Sequence, residues 1–211
     1  MAVTLTSATA LSDIRTGVSL TDVIEDSVAV VGIDMPLGLL ESGWREADRA
    51  ARQRLGPRRS SVFAIPPRPV WAQSSYPAAS QRCRELTGQG FSIQAWGLRA
   101  KLLEANACRD RCGVPMYEVH PELAFGALAG SPLAPAPLAL SKHIAAGREL
   151  RREVLTRAGL AVPADAPAPE TDLLDAAAVA WSAWRIATGR AVVLPDRPQL
   201  DPAGREITIR Y

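Results

Sequence analysis

Asp172 and Asp175 stand three residues apart in a stretch of helical character, a spacing that puts both carboxylates on one helix face with Cβ atoms about 5–6 Å apart. Like charges so placed repel. Acids in a first helical turn complement the helix dipole, worth about 0.3–1 kcal/mol each, and that is the plainer reading of the pair alone. A hard divalent cation such as Mg²⁺ is the sharper one, because it takes carboxylate oxygens and cancels the repulsion. Asp34 closes the valine-rich run VAVVGID, residues 28–34, and a carboxylate at the carboxyl end of a buried strand lies where open α/β sheets hold their ligands. Its ordinary role is to start the turn at Met35 and Pro36. Glu118 and His120 fall on one face of a second strand candidate, since side chains alternate along a strand. A surface ion pair with an arginine is the ordinary reading of the glutamate, and a hydrogen-bonded structural residue that of the histidine. Acids from two strands and a helix, taken together, offer what two metal ions about 3.5–4 Å apart need for in-line phosphoryl transfer.

The elements that must position these groups follow from periodicity and breakers. Residues 28–34 read as a strand covered on both faces, and residues 42–55 as a helix with Trp44, Ala47, Ala51 and Leu55 on one side and Arg45, Arg49 and Arg52 on another. Gly56 and Pro57 end it. Residues 58–75, with Pro66, Pro67 and Pro69, are too long for a simple connection; their Phe63, Ile65, Val70 and Trp71 mark an ordered surface loop. Helices are predicted over 77–86 and 92–112, a strand over 114–120 and a helix over 141–158. Pro-rich connectors cover 131–137 and 163–169. The strongest helix signal is 171–188, a run of alanines stopped by Gly189. Residues 191–194 and 206–211 read as strands around a turn with Asp201, Pro202 and Gly204. Ahead of Asp13, only residues 2–8 can form a strand.

With 47% apolar and 22% charged residues in a chain of 211, the composition is that of a globular protein, and one domain over residues 1–211 is expected. A net charge of +2 argues against a protein dominated by nonspecific polyanion binding. The basic residues are 22 Arg and two Lys, Lys101 and Lys142. No run reaches the roughly 18–20 apolar residues that cross a bilayer, and no basic segment leads a hydrophobic one at the N-terminus; a cytoplasmic protein with no membrane partner is expected. Cys83, Cys108 and Cys112 have no framework spacing and read as free thiols. Cys108 and Cys112 with His120 would give zinc only three ligands.

Seven ordered blocks carry a family resemblance: VVGIDMPLGL around Asp34, READRAAR from Arg45, RRSSVFAIPPR from Arg58, TGQGFSIQAW from Thr87, YEVHPELAF from Tyr117, SKHIAAGRELRREVL from Ser141 and DLLDAAAVAWSAWR from Asp172. Together they resemble DUF429, a predicted nuclease family of the ribonuclease H-like superfamily. The resemblance implies an α/β fold with a ribonuclease H-like mixed sheet flanked by helices, and acids gathered at one edge. Asp34 would be the acid of the central strand, and Asp172 with Asp175 the acidic pair of the last helix, as in Holliday-junction resolvases. Glu118, His120 and Lys142 match further polar positions of the family. Such domains open with a strand bearing an essential Asp. Residues 2–8 hold no acid, so the expectation is a fold with truncated N-terminal strands and a missing ligand.

The expected activity is metal-dependent hydrolysis of nucleic-acid phosphodiesters. Asp34, Asp172 and Asp175 would bind Mg²⁺ or Mn²⁺, with Glu118, His120 and Lys142 as further catalytic groups. Arg45, Arg49, Arg52, Arg58, Arg59 and Arg68 would contact backbone phosphates, against the alternative of a solvated helix face and loop. Asp48 would pair with Arg45 or Arg52. The competing expectation is a noncatalytic nucleic-acid or protein-binding module that kept the fold after losing the first-strand Asp. A sugar or acyl kinase of actin-like fold would need glycine-rich phosphate loops, which the sequence lacks.

Overall fold

The computed structural model describes residues 1–130, 138, 140–163, 165, 166 and 168–211; the connector predicted at 131–137 lies outside them. Short extended runs alternate with helices: β1 (Ala2–Leu5), β2 (Leu11–Arg15), β3 (Val31–Ile33), α1 (Glu46–Leu55), α2 (Arg68–Trp71), α3 (Tyr76–Thr87), α4 (Ile93–Gly97), α5 (Arg99–Arg111), β4 (Met116–Val119), α6 (Pro121–Ala129), α7 (Ala145–Arg157), α8 (Glu170–Ala187), β5 (Val193–Leu200) and β6 (Glu206–Arg210). Strands β3, β4, β6 and β5 form a sheet in that order. The first two junctions are parallel, and β5 runs antiparallel to β6. The expected α/β architecture with a mixed sheet among helices is therefore present.

Two adjacent parallel strands, β3 and β4, end side by side, with Ile33 opposite Glu118. Asp34 and His120 follow directly, so both leave the sheet at its carboxyl edge. On one side α1 buries Ala47, Ala51 and Leu55 against Ile207 and Ile209 of β6. A second core joins α6, α7 and α8 to the partly buried Val3, Leu5 and Ile14 of the β1–β2 hairpin. The alanine run of α8 presents Ala177 and Ala178, both fully buried, to that core. Trp71, Phe91, Trp96 and Tyr76 pack ring against ring at 5.7–6.4 Å and anchor α2, α3 and α4.

Several predicted elements differ in detail. The helix predicted at 92–112 is two helices broken at Leu98, next to Gly97, the poorest helix former after proline. The long connection after α1 is a 3-10 turn (Gly56–Ser61) followed by α2, and Val62, Ile65, Val70 and Trp71 are buried, so it is part of the core, not a surface loop. β5 extends through Pro195 and Pro198 to Leu200, its pairing with β6 shifting between Leu194 and Gln199; an edge strand tolerates prolines, which have no N–H for a ladder. β2, unpredicted, pairs with β1 and carries Asp13, which is bound to Arg15 at 2.6 Å. β1 itself has no acid.

A cleft of carboxylates at the sheet edge

The ends of β3 and β4 open into a cleft of about 240 Å³ whose polar wall is made by Asp34, Asp48, Glu118, His120, Glu122 and Lys142. Asp34 is set there by the turn that follows it. The Leu37 N–H donates to Glu118 Oε2 at 2.8 Å, the Gly38 N–H to Asn106 Oδ1 at 2.8 Å, and Asn106 Nδ2 to the Pro36 carbonyl at 2.9 Å. Gly38 has φ +84°, and a Cβ there would meet Ile207 Cγ1 at 2.8 Å, so only glycine closes this turn. Asp34 is solvent-exposed at the cleft mouth. Desolvation by the protein packed around its carboxyl, with the nearby Asp175 charge, pushes it up to about 7, against the pull of Lys142.

Asp175 comes from the second turn of α8 and is buried. Its Oδ2 accepts from Lys142 Nζ at 2.5 Å, and its Oδ1 has no hydrogen-bond partner among the described residues. Burial raises its pKa and Lys142 opposes this. Lys142 is held protonated by Asp175 and Asp34, which outweigh its own burial. Its loop rests on the start of α7, where a Cβ on Gly147 would lie 1.8 Å from the Ser141 carbonyl oxygen. Fully buried Arg151 ties this loop to α6: Nη1 donates to the Leu140 and Gly147 carbonyls at 3.0 Å each, and Nη2 donates to Glu122 Oε1 at 2.5 Å. Glu122 Oε2 is buried and unpartnered among the described residues.

His120 Nε2 lies 3.2 Å from the Ser61 carbonyl oxygen. A carbonyl only accepts, so Nε2 carries the proton in this contact. Burial holds the imidazole below its usual pKa, leaving it neutral. Its Nδ1 then presents a lone pair, in a buried position with no partner among the described residues.

Glu118 and Arg45 hold the frame. Glu118 Oε2 receives Arg45 Nη2 as well as the Leu37 N–H. Arg45 Nη1 is 3.5 Å from Asp48 Oδ1, and Asp48 Oδ2 accepts from the Ile65 N–H at 2.8 Å. Burial, with Asp48, pushes Glu118 up to about 7 against the attraction of Arg45. With that oxygen engaged twice, Glu118 positions the Asp34 turn.

The arginines expected on a phosphate track divide. Arg45, 2% exposed, is sealed inside; Arg52 donates to the Val62 carbonyl at 2.7 Å and Arg58 to the Leu138 carbonyl at 3.2 Å, so these three hold the fold. Arg49, Arg59 and Arg68 are exposed, Arg49 and Arg68 in surface ion pairs with Glu46 and Glu41. Asp172 does not join Asp175. It is exposed and takes a 3.5 Å contact from Thr171 Oγ1. Three residues turn a helix through about 300°, which leaves the two side chains about 60° apart, one buried and one exposed. Sequence reasoning passed over Glu122; the signal was Pro121, which marks a first helical turn immediately after His120.

Among the described residues no group of three or more His, Cys, Asp and Glu side chains is placed to hold a metal ion, so the three-acid cage expected of Asp34, Asp172 and Asp175 does not form. Cys83, Cys108 and Cys112 are free thiols. A looser site fits: Mg²⁺ is commonly held by one or two carboxylates, its own waters and substrate phosphates. Asp34 and Asp175, mutually repelling and only partly neutralised by Lys142, with Asp175 Oδ1 unpartnered, have the donor chemistry for that.

A family profile described as "Protein of unknown function (DUF429)" matches residues 1–200. No curated protein and no solved structure matches the chain.

Proposed function

The chain belongs to the DUF429 family, and we propose that it is a metal-dependent nuclease of ribonuclease H-like fold that hydrolyses phosphodiester bonds of nucleic acid. The observation that carries this reading is that Asp34, at a strand end, feels the charge of Asp175 from a helix, while Lys142, bonded to Asp175, attracts Asp34 as well. Asp34 and Asp175 would hold Mg²⁺ or Mn²⁺. When bound, such an ion supplies Lewis acidity and neutralises charge on a phosphate.

The remaining steps belong to the chain. Lys142 fixes Asp175 and brings a cation to the phosphate oxygens. Neutral His120 offers the Nδ1 lone pair to a proton released in the cleft, its tautomer set by Ser61. Glu118 and Asn106 keep the Asp34 turn in place. Exposed Arg49, Arg59 and Arg68 approach the backbone of the nucleic acid.

One observation favours the competing reading of a noncatalytic binding module: the lack of a three-acid group among the described residues. Cleavage of branched DNA and of RNA–DNA hybrids in Mn²⁺ decides between them. The nuclease reading expects turnover by the unmodified protein and none by Asp175→Asn. Equal background rates in both would remove it, and binding that depends on salt but not on EDTA would then establish the module.

A further inference from the structure

A second concave site lies on the far side of Glu118. β4 and β6 pair only at Glu118–Ile209 and Val119–Arg210; before that point they diverge and leave a pocket of about 260 Å³. Arg109, Arg205 and Arg210 all line it, together with Tyr117, Thr208 and two acids, Glu118 and Glu206. None of Asp34, His120, Glu122 or Lys142 does.

The three guanidiniums are not equally served. Arg205 has Asp110 at 2.5 Å and Asp201 at 2.8 Å. Arg210 has Glu206 at 3.2 Å and lies over the Tyr117 ring at 4.4 Å. Arg109, with a side chain only 13% exposed, has its nearest carboxylate oxygen, Asp201 Oδ2, at 3.9 Å. That is beyond hydrogen-bond reach. The same oxygen already accepts from Arg205, while Asp201 Oδ1 accepts the Ala203 and Arg205 N–H groups. Arg109 Nη2 reaches the Glu206 carbonyl at 3.3 Å, and Nη1 has no hydrogen-bond partner among the described residues. A buried guanidinium half unsatisfied beside two more is a setting that an oxyanion would complete, because arginine matches phosphate with paired N–H donors.

We propose that the pocket between β4 and β6 is a phosphate-binding site in which the under-served Arg109 guanidinium is the principal anchor, Arg210 and the Thr208 hydroxyl completing the cradle. Burial and the Arg205 charge both destabilise the Arg109 cation, against the attraction of Asp201, Glu118 and Asp110, and the charge of a bound dianion offsets that cost. The volume is below that of pockets for drug-sized ligands, about 300–1,000 Å³, and suits a phosphate group with little else enclosed. This site does not rest on the nuclease reading.

The test is a titration with inorganic phosphate followed by ³¹P line broadening, at ionic strength matched with chloride. Saturable binding is expected, weakened roughly tenfold or more in Arg109→Gln and retained in Lys142→Met, which alters only the other cleft. Titration no different from chloride, unchanged binding in Arg109→Gln, or loss in Lys142→Met alone would overturn the proposal. Should Arg109→Gln fail to fold, Arg210→Gln decides: weakened binding supports the site and unchanged binding overturns it. Displacement of bound phosphate by an oligonucleotide without terminal phosphates assigns the site to a strand backbone, and persistence assigns it to a phosphomonoester.

Discussion

Replacing Arg151 with methionine keeps most of the aliphatic stem but removes the guanidinium, which joins α6, α7 and the Lys142 loop and lies over the Phe125 ring at 5.3 Å. Arg151 is fully buried and its partner Glu122 nearly so. The variant therefore leaves a carboxylate in the interior with no counter-charge at Oε1, beside an Oε2 that already lacks a partner. Removing one member of a buried ion pair costs about 3–5 kcal/mol. In a domain of this length each kcal/mol moves Tm by about 2–4 °C, so Tm should fall by roughly 6–20 °C. Urea unfolding at neutral pH measures the loss, and the double variant Arg151→Met/Glu122→Met measures its origin. With both charges gone, most of the stability should return, because a well-packed apolar pair is often no worse than the ion pair. A loss below about 1 kcal/mol, the range of a surface pair, would refute the reasoning. So would a double variant no more stable than the single one.

Other consequences can be measured together. Gly147→Ala places a methyl group on the Ser141 carbonyl, displacing Lys142; we expect a cost of about 1–3 kcal/mol and loss of any metal-dependent cleavage, read by thermal unfolding and assay. Asp34 has a folded-state pKa of about 7 against an ordinary 3.8, so the folded protein binds the extra proton between those values and stability falls as pH rises from about 4 through about 7. Asp34→Asn should flatten this slope, leaving the part due to Glu118, Asp48 and Asp175, which are raised in the same direction. Arg45→Met strands two buried acids, Glu118 and Asp48, and should cost about 3–5 kcal/mol. By contrast, removing exposed Arg49, Arg59 and Arg68 together should leave stability nearly unchanged and lower the salt dependence of DNA binding by roughly two to three in log–log slope.

The sequence was most legible where one force dominated. The alanine-rich last helix forms within a residue of its predicted limits, whereas the VAVVGID run pairs as a strand only over Val31–Ile33; Asp34 and Asp175 could still be placed on a strand end and a helix from their neighbours alone. The Asp172–Asp175 pairing failed because helix spacing fixes the angle between two side chains but not where the core boundary cuts it. The arginines of α1 and its following turn were ambiguous for a related reason. Arg45 and Arg49 look alike in a charge pattern, yet Arg45 is buried because Glu118 and Asp48, both distant or locally hidden, await it. β5 was cut short by its prolines, which an edge strand accommodates. The anion pocket had no local signature, since Arg109, Arg205 and Arg210 meet only after β4 and β6 diverge.

The proposed site requires Asp34 and Asp175 to share one cation. A Mn²⁺ titration followed by the electron paramagnetic resonance of the free ion should find saturable binding that strengthens as pH rises through about 7, when the Asp34 proton leaves. That binding should be lost in both Asp34→Asn and Asp175→Asn. Absence of saturable Mn²⁺ binding, or binding unchanged in the two variants, would contradict it.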